Sequence, residues 1–259
     1  MPAYRSIRIQ MPDRPGALAA VSTALSVQQV NIVRLDVVGY HEGMVVDDLL
    51  VSGPDQEHIG RAIGGFQHDV VVRTFDETSG DPALQIADGL VAIARARGRD
   101  EALQRLLDSA LRIARADSVA IGRACDDGSM MIEPDMEEEP LHITSSEACI
   151  GRHVLHRQTA VAFPVSADET LDGVCRVSPC AWVALAPLGA FAVVIFTRTL
   201  NIPFLRDELE RVAVFTEAAG ATLRLRGDIE ASGSMRAGQE ASLPPGAITL
   251  GDVHRAQYA

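Results

Sequence analysis

Asp13-Arg14-Pro15-Gly16 constrains this chain more than any other stretch. Before it, Tyr4, Ile7 and Ile9 alternate with Arg and Gln, the period of a half-buried strand. After it, Leu18, Val21 and Leu25 recur at helical spacing. Pro15 is pre-set for a first helical turn, and Gly16 lets the backbone come close to whatever sits at the helix start. The exposed amides of such a start form a ready site for an anion or carboxylate.

The pattern continues through residue 75. Residues 31–41 and 44–52 read as strands, joined by a tight Glu42-Gly43 turn. Pro54-Asp55 opens a second helix with Ile59, Ile63 and Phe66, and Val70-Val71-Val72 reads as a closing strand. The order βαββαβ is the ferredoxin-like plan. Asp47 and Asp48 are adjacent on a strand, point to opposite faces and so do not share a site.

Asp13-x-Pro15-Gly16-x-Leu18, Asn31-Ile32 and Asp47-x-Leu49-x-Val51 together resemble the ACT domain, a regulatory module that binds amino acids and related effectors. The resemblance implies ligand contacts from Met11, Asp13, Arg14, Pro15, Gly16 and Ala17 in the first loop, with Asn31 and Ile32 at the start of the second strand. Met11 and Asp13 stand where serine-binding members carry His and Asn. Asp13 could accept from an α-amino group, and Asn31 can both donate and accept. A plainer reading has Asp13 capping the helix and Gly16 only making the turn.

Residues 77–82 read as a polar linker. Two helical patterns follow, one with Leu84, Leu90, Val91 and Ala94, the other with Leu103, Leu107, Ala110 and Ala114. Strands are expected at 118–121, 160–164, 181–186 and 191–197, a hairpin turn at Asp127-Gly128, an acidic loop at 133–139 and a short helix at 152–157. A long helix over 204–225 presents Leu205, Leu209, Val212, Ala219 and Leu223, interrupted by Thr216.

This order, with Arg115-Ala116-Asp117-Ser118, Ile150-Gly151-Arg152-His153-Val154 and Ala186-Pro187-Leu188, resembles a GAF domain, a small-molecule sensor module. Its glycine-rich stretch is thin and its last strand-to-strand loop is very short. The expected architecture is α+β: an ACT domain over 1–76, a GAF-like antiparallel sheet with flanking helices over 83–226, and a disordered tail over 227–259. Ile248-Thr249-Leu250 in that tail could dock a partner.

The chain has 259 residues and a formal charge of −12, without a basic cluster, so nucleic-acid binding is not expected. Every cation other than His is Arg; the absence of Lys excludes a Walker A loop and Schiff-base chemistry. No eighteen-residue apolar run and no signal peptide are visible, which makes a cytoplasmic location the expectation, with reduced thiols. Cys149, His153 and His156 fall at i, i+4 and i+7, with Cys175 and Cys180 further on, a loosely zinc-like set. The expectation is nonetheless no metal, no cofactor and no catalytic residue.

The function expected is that of a non-enzymatic regulator, a homodimer that senses an amino acid and relays the signal to a protein partner. One alternative is a regulatory subunit docking onto a separate biosynthetic enzyme. Another is a thiol-dependent sulfoxide reductase using Cys149, Cys175 and Cys180, as in rare GAF members.

Overall fold

The computed structural model describes residues 2–41, 43–66, 70–75, 82–125, 129–133, 141–143, 146–165, 181–190, 192–227 and 247–249. The chain divides into two units, Met1–Asp81 and Pro82–Ala259.

The first unit runs β1 (Ala3–Pro12), α1 (Ala17–Val27), β2 (Asn31–His41), β3 (Met44–Gly53), α2 (Gln56–Gly64) and β4 (Val71–Phe75). Its four strands lie in the order β2-β3-β1-β4, every pair antiparallel. Alternation sends Ile7, Ile9 and Met11 of β1 and Val45, Leu49 and Val51 of β3 to the side covered by the helices. There they meet Val21 and Leu25 of α1 and Ile59 and Ala62 of α2. Each fully buried side chain of this size contributes about 1.5–3 kcal/mol of transfer free energy. Leu18, expected on that buried face, is exposed instead. The Asp55 carboxylate accepts from the His58 amide at 2.9 Å and starts α2. On the other face of the sheet Arg8 donates twice to Asp48, at 2.8 and 2.9 Å, across directly paired positions of β1 and β3.

The second unit runs α3 (Pro82–Arg95), α4 (Arg99–Ala114), β5 (Ser118–Ala124), β6 (Met130–Glu133), β7 (Leu141–Ile143), α5 (Ser146–Arg157), β8 (Val161–Pro164), β9 (Trp182–Pro187), β10 (Ala192–Arg198), α6 (Arg206–Arg226) and β11 (Ile248–Thr249). One antiparallel sheet holds the strands in the order β11-β8-β9-β10-β5-β6-β7. The sheet is buried on both sides. Ala184, Ala186, Val194 and Phe196 face a layer of α3, α4 and α6. Val183, Leu185, Val193 and Ile195 face α5 through Ile150, Val154 and Leu155. This is why β9 and β10 read as unbroken apolar runs.

The fold departs from the sequence reading in four further places. Strands β6 and β7 flank the acidic stretch that was expected to be loop; residues 134–140 and the Asp127-Gly128 turn lie outside the described residues. Helix α5 starts at Ser146, well before residue 152. On α3, Leu84 and Val91 are exposed, while Ile93 is buried in the core and Ile86 and Leu90 pack against it. Ile248–Thr249 pair with β8, so part of the expected tail is an edge strand of the sheet. Thr216 interrupts the α6 stripe without cost, because its hydroxyl donates to the Ala213 carbonyl at 3.2 Å. Among the described residues no helix is long and apolar enough to cross a membrane.

Candidate ligand site on the first unit

Gly16 is the N-cap of α1, in the left-handed region at φ 90°, and no side chain caps the helix. Asp13 therefore does not play the capping role. Its backbone amide instead donates to the Gly43 carbonyl at 2.9 Å, tying the turn to the β2–β3 hairpin. The Ala17 amide donates to the Arg14 carbonyl at 3.2 Å and the Ala20 amide to the Gly16 carbonyl at 3.0 Å. Leu18 and Ala19 hold the first-turn positions whose amides have no acceptor within the helix. Asp13, Arg14, Pro15 and Gly16 are exposed around them and Ala17 is half-buried. Met11 does not join this surface, since it is buried in the core of the sheet.

Asn31 and Ile32 lie at the other end. Pro12 pairs with Met44 at the start of β3, whereas Asn31 pairs with Ser52 near its finish. Between those positions β3 advances about 26 Å at the ordinary rise of a strand. Within one chain the structure brings Asp13, Gly16 and Ala17 together, and Asn31 and Ile32 together, but not the two groups. β2, which carries Asn31, is the outer strand of the sheet. Val33, Val37 and Tyr40 on it are 52%, 55% and 65% exposed, and two register shifts interrupt its pairing with β3.

Asp47, which the sequence placed on the face opposite Asp48, is buried where an apolar residue would be ordinary. It is buried on the helix-covered side of β3, and its Oδ1 is excluded from solvent without a hydrogen-bond partner. Burial, and after it the charge of Asp48, push its carboxyl above the usual carboxylate range. The signal was available in the alternation, because Asp47 shares a face with Val45, Leu49 and Val51. A cleft of about 320 Å³ opens further along α1, lined by Ala20, Val21, Thr23, Gly65, Phe66 and Val70. Among the described residues no charged side chain lines it.

In the second unit, α5 carries Cys149, His153 and His156 in register along one helix. His153 is half-buried and His156 exposed, while Val154 and Leu155 do the packing. Cys175 and Cys180 lie outside the described residues. No group of three or more His, Cys, Asp or Glu that could hold a metal ion occurs among the described residues.

The model of the ACT domain family matches residues 5–64, which span β1 through α2. Residues 5–64 thus match the ACT domain, and a separate antiparallel sheet with flanking helices follows. No curated protein matches the chain. Among solved structures, an uncharacterized protein of Thermotoga maritima is similar at 23% identity and a TM-score of 0.24, covering 29% of this chain and 96% of its own. A methyl-accepting chemotaxis protein fragment is similar at 14% identity and a TM-score of 0.42, over 58% of this chain and 100% of its own. The phycoerythrobilin-bound GAF domain of a cyanobacterial phytochrome is similar at 12% identity and a TM-score of 0.44, over the same shares.

Proposed function

We propose that this chain is a non-enzymatic regulator that binds an amino acid at the first turn of α1 and acts as a homodimer. The observation that carries the reading is the uncapped helix start at Gly16, set at the sheet rim beside the exposed Asp13. Such a start complements a carboxylate through its amides and its dipole.

The dimer follows from the open edge of β2. An outer strand with exposed Val33, Val37 and Tyr40 is a template for pairing with a second copy. Antiparallel pairing of two β2 strands about Asp36 sets Asn31 of the partner subunit beside His41. His41 pairs with Met44, and Met44 with Pro12, so this brings the partner's Asn31 to the same end of the sheet as Pro12, about 14 Å across three strand spacings. Ligand then favours the paired arrangement by its differential affinity, and the GAF-like unit carries the change onward to a partner.

Thermal melts of the full chain against the twenty amino acids test this. A ligand that binds only the folded state adds about 2.7 kcal/mol at a hundredfold excess over Kd. The expected result is a raised Tm for one or a few amino acids, with a dimer mass by light scattering. No shift at millimolar concentration of any amino acid overturns the binding, and a monomer mass at micromolar protein overturns the dimer.

A further inference from the structure

The second unit gathers positive charge at one corner, in a chain whose formal charge is −12. Helix α3 ends at Arg95 and α4 begins at Arg99, with Arg97 between them, and all three side chains are exposed. Arg226, at the end of α6, reaches this corner from far along the chain. Its guanidinium donates to the Ala94 carbonyl at 3.0 Å and to the Gly98 carbonyl at 3.5 Å. Arg224, on the same last turn of α6, is exposed. No basic run in the sequence announces this cluster, because the α6 arginines join it only through the fold. Local structure does not account for it either. A cation at the first position of α4, as Arg99 is, works against the helix dipole. Glu101 is engaged by the Arg97 amide at 2.9 Å and by Arg105 at 3.6 Å. Among the described residues the side chains of Arg95, Arg97, Arg99 and Arg224 form no ion pair.

Exposed apolar side chains adjoin the arginines. Helices α3 and α6 lie side by side and run the same way. A Cβ at Gly89 would meet the Phe215 ring at 3.0 Å, and further along both helices Ala94 meets Arg226. Among the described residues of the second unit, the exposed large apolar side chains are Leu84 and Val91 on α3, Val214 and Leu225 on α6, and Leu200 elsewhere. Leu84, Ala87, Val91 and Ala94 recur at helical spacing along the exposed face of α3, which runs straight into Arg95. Leu225, 90% exposed, stands between Arg224 and Arg226. Apolar anchors set beside arginine, in a chain without lysine, have the composition of a protein–protein contact.

We propose that the outer face of α3 and α6, with its arginine corner, docks an acidic amphipathic segment of a protein partner. Carboxylates of the segment take paired hydrogen bonds from the guanidinium groups, and its apolar side chains cover Val91 and Leu225. A polynucleotide fits less well, because the apolar side chains offer nothing to phosphate and a net charge of −12 repels a long polyanion. A second copy paired in parallel about a two-fold axis would set arginines against arginines. Charge also fixes the direction of docking, since the corner attracts a segment that the rest of the acidic chain repels. The inference rests on the reading above for the existence of a partner, and is independent of which ligand the first unit binds.

The test pans a random-peptide display library on the full chain and measures each enriched peptide on wild type and on the Arg97→Glu/Arg99→Glu double variant. The enriched peptides are expected to combine Asp or Glu with Leu, Ile or Phe. They are expected to bind wild type at least about tenfold more tightly than the double variant, and more weakly as salt is raised. The two proteins should melt alike, since both substituted side chains are exposed. If the double variant melts lower, Arg97→Gln/Arg99→Gln gives the same comparison without reversing charge. Enrichment without acidic bias, or equal binding to the variants, overturns the proposal. Tighter retention of single-stranded DNA or of phosphatidylserine vesicles than of the best peptide also overturns it. A dimer that Val91→Glu/Leu225→Glu converts to monomer assigns the face to a second copy and overturns it too. No arm contains an amino-acid ligand, so failure here leaves the ligand reading standing.

Discussion

Arg198 and Glu208 form an ion pair that water does not reach, with Nη2 2.8 Å from Oε1 and side-chain exposures of 1% and 0%. Arg198 also donates to the carbonyls of Ala114 and Pro203, at 2.8 and 2.5 Å, and lies over the Phe204 ring at 4.0 Å. Glu208 accepts from the Leu205 amide at 3.0 Å with its second oxygen. The pair fastens the end of β10 to the start of α6 and the end of α4. Removing one partner strands the other charge in a dry interior. Glu208→Ala is therefore expected to cost about 3–5 kcal/mol, read as a fall in the urea midpoint.

Met130 fills the space beside two glycines. A Cβ at Gly122 would meet its sulfur at 2.9 Å, and one at Gly151 would meet it at 2.8 Å. Gly151→Ala is expected to cost about 1–3 kcal/mol by overpacking, and Met130→Ala about 2–5 kcal/mol by leaving a cavity. The two changes compensate in volume, so the double variant should cost less than their sum. Chemical denaturation of the four proteins measures that coupling, and strict additivity would show that the two sites do not touch.

Asp47 gives stability a pH dependence of known sign. Its carboxyl is held above the ordinary value of 3.8 by burial and then by Asp48. The folded chain keeps this proton where the unfolded chain has released it. The stabilisation is complete below pH 3.8 and is lost as pH rises through the raised value. Asp47→Asn should out-melt wild type most at neutral pH, with the gap closing toward about pH 4. Parallel melts across that range check it, and a gap independent of pH would contradict it.

Gly16→Val isolates the backbone. A Cβ there meets nothing within 4 Å, so the cost comes from φ 90° alone. About 1–2 kcal/mol of stability should be lost, together with ligand binding as the turn shifts. Asn31→Ala should weaken binding by about 1–2 kcal/mol through a lost hydrogen bond. Mixing the two deficient proteins and letting subunits exchange should restore binding in the hybrids, where one of two sites is intact. Calorimetry on the mixture reads this; no recovery would place both residues in the same copy's site.

The ACT elements were legible because alternation, helical spacing and a Pro-Gly turn all pointed the same way in a short stretch. β6 and β7 were not, because Met130-Met131-Ile132 and Leu141-His142-Ile143 are too short to display a period and an acidic run separates them. β11 was hidden among Gly, Ser and Pro, and two residues acquire strand character only by lying against β8. For the site, residue types located the turn at Gly16. The distance from Asp13 to Asn31 was invisible to any local pattern, since strand register alone fixes it.

That distance has a consequence for what such a module measures. A ligand gripped by the Gly16 turn and by Asn31 at once needs two copies of the chain, because one sheet holds these residues at opposite ends. On the proposed function, occupancy then depends on how much of the chain is present as well as on how much ligand. A cell that makes little of it would be deaf to the ligand, and raising expression alone would lower the threshold at which it responds.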